Sequence, residues 1–152
     1  MKIEPLTHEG VLYVASHMRD WDKKEIFATR WTDDPADVAA SCVAAGAFSW
    51  VASLERPICA IGGAPMWPGV WSMWMFATDE WPIISTSVTK FVRRVMLPKL
   101  WAVGAHRLEC RAMEGHPSGN WLKFFGAERE GPLVKYGKDQ KTFYTYAIIR
   151  NS

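Results

Sequence analysis

Asp79 and Glu80 stand side by side just past an apolar run at 70–77, and three consecutive hydroxyls, Ser85, Thr86 and Ser87, follow shortly after. Carboxylates at the end of a buried strand suit general-base chemistry, taking a proton from an attacking amine directly or through water. They suit a solvated turn equally well. The hydroxyl run suits the first turns of a helix, where side-chain oxygens cap the helix and free N–H groups attract anions. Tyr144, Tyr146, Cys110 and His116 are candidate proton donors, each with an ordinary reading as packed structure. His8, His17, His106 and His116 show no metal-ligand spacing, so no metal site is expected. Cys42, Cys59 and Cys110 are odd in number and lack C-x-x-C spacing, which fits buried thiols in a reducing compartment.

Composition narrows what such groups can serve. A chain of 152 residues is one domain's worth, and 49% hydrophobic with 22% charged residues excludes disorder. Eighteen Lys+Arg against 16 Asp+Glu leave a net charge of +2, too balanced for a dedicated polyanion binder. Nine tryptophans are unusual, and Trp31, Trp50, Trp67, Trp71, Trp74 and Trp81 fall close together. A base-stacking platform needs a basic groove beside its aromatics, and only Arg56 lies between Trp31 and Lys90. Nucleic acid is therefore not the expected partner, and the tryptophans read as aromatic packing across a sheet. No run approaches the roughly 18 apolar residues of a membrane span. The N-terminus, Met1-Lys2-Ile3-Glu4-Pro5, lacks the apolar stretch of a signal peptide, so the expected place is the cytoplasm.

The elements that must position these residues follow from periodicity. Residues 2–6 predict an edge strand, since Pro5 has no N–H for an inner ladder. Thr7 caps a helix with an apolar stripe at Val11, Leu12, Val14, Ala15 and Met18, and a second helical piece runs over 22–30. Asp33-Asp34-Pro35 opens a third that stops at Gly46. At Ala47 the period changes. Strands at 48–54, 58–64 and 70–77 form a meander, with a turn at 65–69, and the third is apolar on both faces and so central. Ile84, Val88, Phe91, Val92, Val95 and Met96 give the longest helix, which Pro98 must kink or end. A strand at 106–113 places Arg107 and Glu109 on one face and His106 on the other. A short helix after Asn120 stops at Gly126, and strands at 128–134 and 142–149 close the chain.

This order resembles that of the GCN5-related N-acetyltransferase (GNAT) superfamily over essentially the whole chain. Its most specific carrier is 120–128, Asn-Trp-Leu-Lys-Phe-Phe-Gly-Ala-Glu, which is similar to that family's last short helix before the closing hairpin. The resemblance implies a mixed α/β sheet of six to seven strands, its fourth and fifth strands splayed, flanked by about four helices, as a single domain over 1–152. The length, the Trp-rich sheet and the Phe-Phe-Gly-Ala ending also resemble small acetyltransferase-like proteins of T7-type podophages.

What the resemblance implies for function is transfer of an acetyl group from acetyl-CoA to a primary amine on a small molecule or protein. The cofactor would lie along Phe76, Ala77 and Thr78, with its pyrophosphate at Ser85, Thr86 and Ser87 and a further contact at Asn120. Asp79 or Glu80 would be the base and Tyr144 the acid. Two features depart from the family. Its Arg/Gln-x-x-Gly-x-Gly/Ala phrase is replaced by Thr-Asp-Glu-Trp-Pro-Ile-Ile-Ser-Thr-Ser at 78–87, with no glycine to wrap phosphates. Its tyrosine four residues before the last glycine is Leu122. The alternative is an inactive descendant of the fold, a phage protein of virion assembly or host interaction that meets a phage or host protein through its tryptophans. A homodimer stays open. Geometry separates the two readings, because Trp74, Trp81 or Trp121 filling the gap between the splayed strands would keep acetyl-CoA out.

Overall fold

Seven strands form one sheet, and the computed structural model that shows it describes residues 1–46 and 48–150. Ala47, at the change of period, lies outside them, as do residues 151 and 152. In chain order the strands are β1 (Lys2–Pro5), β2 (Ser49–Ser53), β3 (Pro57–Trp67), β4 (Val70–Ala77), β5 (Arg107–Met113), β6 (Glu128–Leu133) and β7 (Phe143–Ile149). In space they run β1-β2-β3-β4-β5-β7-β6. Pro5 thus sits on an edge strand and the two-faced apolar strand β4 sits in the middle, as their sequences require.

Helices α1 (His8–Ser16), α2 (Asp20–Ala28) and α3 (Pro35–Ala44) follow β1, and α4 (Trp81–Phe91), α5 (Leu97–Ala102) and α6 (Ser118–Lys123) follow β4 and β5. Local chemistry starts α1 and α3 where expected. The Thr7 hydroxyl accepts the Gly10 N–H at 3.1 Å and the Asp34 carboxylate accepts the Ala36 N–H at 2.9 Å, with Pro35 in the first turn. Each such cap contributes about 1 kcal/mol.

The two faces of β4 bury against different helices. Trp74 and Phe76 join Val11, Val14, Val38 and Ala39 of α1 and α3. Met73, Met75 and Ala77 pack with Ile84, Val88, Val92, Met96 and Leu100 on the other side. The tryptophans are core material there: Phe48, Trp50, Trp71 and Phe91 meet edge to face at centroid distances of 5.0–5.2 Å.

Three boundaries differ from the periodicity. β3 continues through Pro65 to Trp67, with a bulge absorbing the proline, so only residues 68 and 69 turn. Gly69 has φ +86°, and its carbonyl accepts the N–H of both His106 and Arg107. The long helix starts at Trp81 and is not ended by Pro98, because a π-helical turn at Val92–Met96 joins α4 to α5 without a break. There the Leu97 N–H reaches back five residues to the Val92 carbonyl, which re-registers the ladder at the position where Pro98 has no N–H to give. Counting that joined helix once gives five helices among the described residues, as the periodicity predicts, where the resemblance implied about four.

β4 and β5 are the parallel pair. They hold register only at Val70↔Arg107, Trp71↔Leu108 and Ser72↔Glu109. Beyond those three steps they part and leave a fork. Among the described residues no helix is long and apolar enough to cross a membrane, and no group of three His, Cys, Asp or Glu could hold a metal ion.

Candidate active site

Strands that part leave main-chain N–H and C=O groups without partners, and buried ones must find others. Helix α2 supplies them at the mouth of the fork. Asp22 Oδ2 accepts the Ala77 N–H of β4 at 2.8 Å, and Glu25 Oε2 accepts the Met113 N–H of β5 at 3.0 Å. The Ala77 carbonyl accepts the Arg19 N–H at 3.0 Å. Two carboxylates three residues apart on one helix face thereby fasten both strand ends. Deeper in the fork, strand alternation decides which main-chain groups face the gap. Thr78 donates to Ile58 of β3 and Glu114 to Thr142, so Met75 of β4 and Arg111 of β5 present their backbone to the fork.

The carboxylates belong to a buried polar cluster. His116 Nε2 lies 2.7 Å from Asp22 Oδ1 and 3.8 Å from Glu25 Oε2. Its Nδ1 accepts the Ser118 N–H at 2.9 Å, so the ring hydrogen sits on Nε2 and points at Asp22. Arg19 Nε donates to Asp22 Oδ2 at 2.9 Å. Burial alone would raise the Asp22 carboxyl, but hydrogen bonds from His116, Arg19 and Ala77 together hold it below the usual range. Glu25 has fewer such partners. Burial dominates there and pushes its carboxyl up to about 7, against the opposing pull of His116 and the Met113 N–H.

Glu25 and His116 open onto a cleft of about 140 Å³ that fills the fork. Its walls are Met73, Trp74 and Met75 of β4, Leu108, Cys110 and Ala112 of β5, Val92 and Met96 of the π turn, and Trp121, Leu122 and Phe125 around α6. Trp74 and Trp121 line this space without filling it. Trp81 stands behind Trp121, edge to face at 5.6 Å, and the Trp121 Nε1–H donates to Thr89 at 2.9 Å, which ties α6 to α4. Burial pushes the Cys110 thiol up to about 12, so it keeps its proton.

The residues singled out by sequence are dispersed around this site. Asp79 is exposed at the start of α4, and Glu80 forms a bidentate pair with Arg56, both contacts 3.0 Å. Neither lines the cleft. Phe76 turns its ring toward α1 and α3, Ala77 has its inner main-chain groups taken by α2, and Thr78 accepts the Glu80 N–H at 3.3 Å. Ser85 donates to the Pro82 carbonyl within α4, while Thr86 and Ser87 are exposed on it. Asn120 is exposed on α6. Tyr144 lies beyond the cleft walls on β7 with the Arg129 guanidinium 4.2 Å over its ring. Tyr146 is buried opposite Cys110, its hydroxyl against Gly119. Glu25 and Asp22 were not singled out. Their signal is the run Asp-Trp-Asp-Lys-Lys-Glu at 20–25, which on a helix puts 22 and 25 on one face.

A forked pair of parallel strands in a seven-stranded mixed sheet, with a cleft between them, recurs in solved structures. The chain superposes on Ard1 from Thermoplasma volcanium with a TM-score of 0.77 at 13% identity, over 99% of this chain and 98% of that one. An acetyltransferase (GNAT family) from Bacillus anthracis matches with a TM-score of 0.64 at 18% identity, covering 97% and 93%. The chain has the GNAT fold. A third match with this fold is yncA from Salmonella typhimurium, a structure with its cofactor acetyl-CoA, at a TM-score of 0.74, 10% identity and coverage of 100% and 95%. No protein-family model matches the sequence, and no curated protein does. The GNAT likeness therefore rests on architecture, and the side chains that occupy the fork are this chain's own.

Proposed function

We propose that the chain transfers an acyl group, acetyl in the simplest case, from a coenzyme A thioester to a primary amine, with Glu25 as the general base. The observation that carries this reading is the fork. A GNAT fold whose central parallel strands part around a cleft, with a buried carboxyl raised to about 7 on the cleft wall, has both a slot and a base.

The residues present fit the cofactor. Met75 and Arg111 offer backbone groups to the fork that no carboxylate of α2 has taken, as the amides of a pantetheine arm need. Ser85, Thr86, Ser87 and the first turn of α4 would hold the pyrophosphate, with Asn120 of α6 as a further contact. Arg56 neutralises Glu80 at that helix start, which removes one of the two charges that would repel a phosphate. When bound, acetyl-CoA supplies an activated acyl carbon to which the amine nitrogen bonds as the carbon–sulfur bond breaks. Glu25 takes the proton that the amine gives up and the departing sulfur needs. The Met113 N–H holds the Glu25 carboxylate in place, and the apolar walls exclude water that would hydrolyse the thioester. The base role passes from Asp79 and Glu80 to Glu25 because Glu25 faces the cleft.

Titration calorimetry with acetyl-CoA and desulfo-CoA tests the reading. Binding in the low-micromolar range, about 8 kcal/mol, supports it. Absence of heat at millimolar ligand overturns it in favour of a second reading, a binding module of the kind found among T7-type podophage proteins. That reading is favoured by the glycine-free start of α4, by Leu122, and by the Trp81–Trp121 contact beside the cleft.

A further inference from the structure

The cleft does not end where the strands close. Leu108 pairs with Trp71, one step below the last β4–β5 pair, yet it lines the same space, as do Ile148 on β7, Ile61 on β3 and Leu97 and Leu100 on α5. Leu100, Leu108 and Met96 are buried and line the cleft under α5, so this end of it is apolar. The charged and polar wall residues, Glu25, Arg111, His116 and Ser118, lie on α2, the outer part of β5 and the loop and helix that follow it. The pocket therefore has a polar opening and an apolar blind end. A cavity of about 150 Å³ with aliphatic walls stays dry and takes up a six-carbon ring. The whole cleft, polar mouth included, is about 140 Å³, and its apolar end, walled by aliphatic side chains, is larger than a methyl group needs.

We infer that this blind end holds the acyl chain of the donor, and that the preferred donor carries a linear apolar chain of about four to six carbons, acetyl being the shortest that seats. The inference rests on the acyl-transfer reading and names its substrate class. The π turn contributes to the pocket's shape: by shifting the helical register at Val92–Met96 it brings Val92, Met96, Leu97 and Leu100 together onto the cavity wall.

Binding of non-transferable thioether analogues to the full chain tests it, with calorimetry as the readout. The series is coenzyme A, S-ethyl, S-butyl and S-hexyl coenzyme A. The expected result is a gain of about fourfold in affinity per added methylene up to four to six carbons. Coenzyme A that binds with no gain, or with a loss, from ethyl to hexyl overturns the chain-length inference and leaves acyl transfer standing. No binding by any member overturns both. Leu108→Phe, which fills the blind end, is expected to abolish the gain so that S-hexyl binds no better than S-ethyl. A Leu108→Phe chain that keeps the gain places the acyl tail elsewhere and overturns the assignment. Should that variant fail to fold, the wild-type series decides alone.

Discussion

Asp22 Oδ1 and His116 Nε2 lie 2.7 Å apart, both side chains 2% exposed or less, and they join α2 to the loop that follows β5. Through its other oxygen Asp22 holds the Ala77 N–H, so one carboxylate reaches both sides of the fork. Asp22→Ala strands a buried imidazole, a guanidinium and a strand-end N–H. It is expected to cost about 3 kcal/mol in urea unfolding, against a smaller loss for Asp22→Asn, which still accepts from Ala77. Equal losses for the two variants would show that the charge and not the hydrogen bond matters.

Glu25 must lose its proton before it can accept one. With its carboxyl raised to about 7, the acyl-transfer rate is expected to climb through neutral pH and level off above it. Glu25→Gln is expected to lower kcat/KM about a hundredfold and to remove that acid limb. Profiles of kcat/KM against pH for the two chains check it, and an unchanged acid limb in Glu25→Gln would assign the limb to another group.

The same carboxyl makes a stability prediction of opposite sense. Its unfolded value of 4.5 lies below its folded value of about 7, so the folded chain binds the proton more tightly. Its contribution is fully present below 4.5 and is lost as pH rises through 7, amounting to about 3 kcal/mol at most. Asp22 acts in the other direction: its depressed carboxyl contributes above its ordinary value and the contribution is lost in acid. Urea titrations from pH 5 to 8 should show stability falling in the native chain and a flatter curve in Glu25→Gln.

Arg56 and Glu80 form an exposed pair at the start of α4, and such pairs contribute well under 1 kcal/mol to stability. Arg56→Ala is therefore expected to unfold at nearly the native urea midpoint. It leaves Glu80 uncompensated beside the proposed pyrophosphate position, so coenzyme A binding should weaken several-fold at low salt and recover partly as salt is added. A loss independent of salt would place the phosphates elsewhere.

Trp121 forms the wall between the cleft and Trp81, and its Nε1–H is tied to Thr89. Trp121→Phe keeps the ring packing and loses that hydrogen bond, at a cost of about 1 kcal/mol. If the wall must move for ligand to enter, the variant should bind coenzyme A with a faster on-rate in stopped flow. An on-rate equal to that of the native chain would mean that the route avoids Trp121.

Much of the architecture is legible in local chemistry. Pro5 dictates an edge, the unbroken apolar run at 70–77 dictates a central strand, and Thr7 and Asp34 set helix starts, because each is decided by a residue and its near neighbours. The long helix was harder to read. Pro98 forbids an ordinary helical bond, and only the packing of Val92, Met96 and Leu100 against the sheet holds the chain helical through it by way of a π turn.

For the site, the sequence by itself determined that carboxylates, hydroxyls and tyrosines were available near the ends of strands, and which element carries each. Tertiary structure decided which of them meet. Glu80 is drawn outward by Arg56, which is 24 residues away in sequence, and Tyr144 lies outside the cleft beneath Arg129. Asp22 and Glu25 of α2 meet His116, 94 residues from Asp22, because β4 and β5 part, and the main-chain groups exposed there need buried acceptors. Burial, which no single position in the chain records, then raises one of those carboxyls toward neutrality.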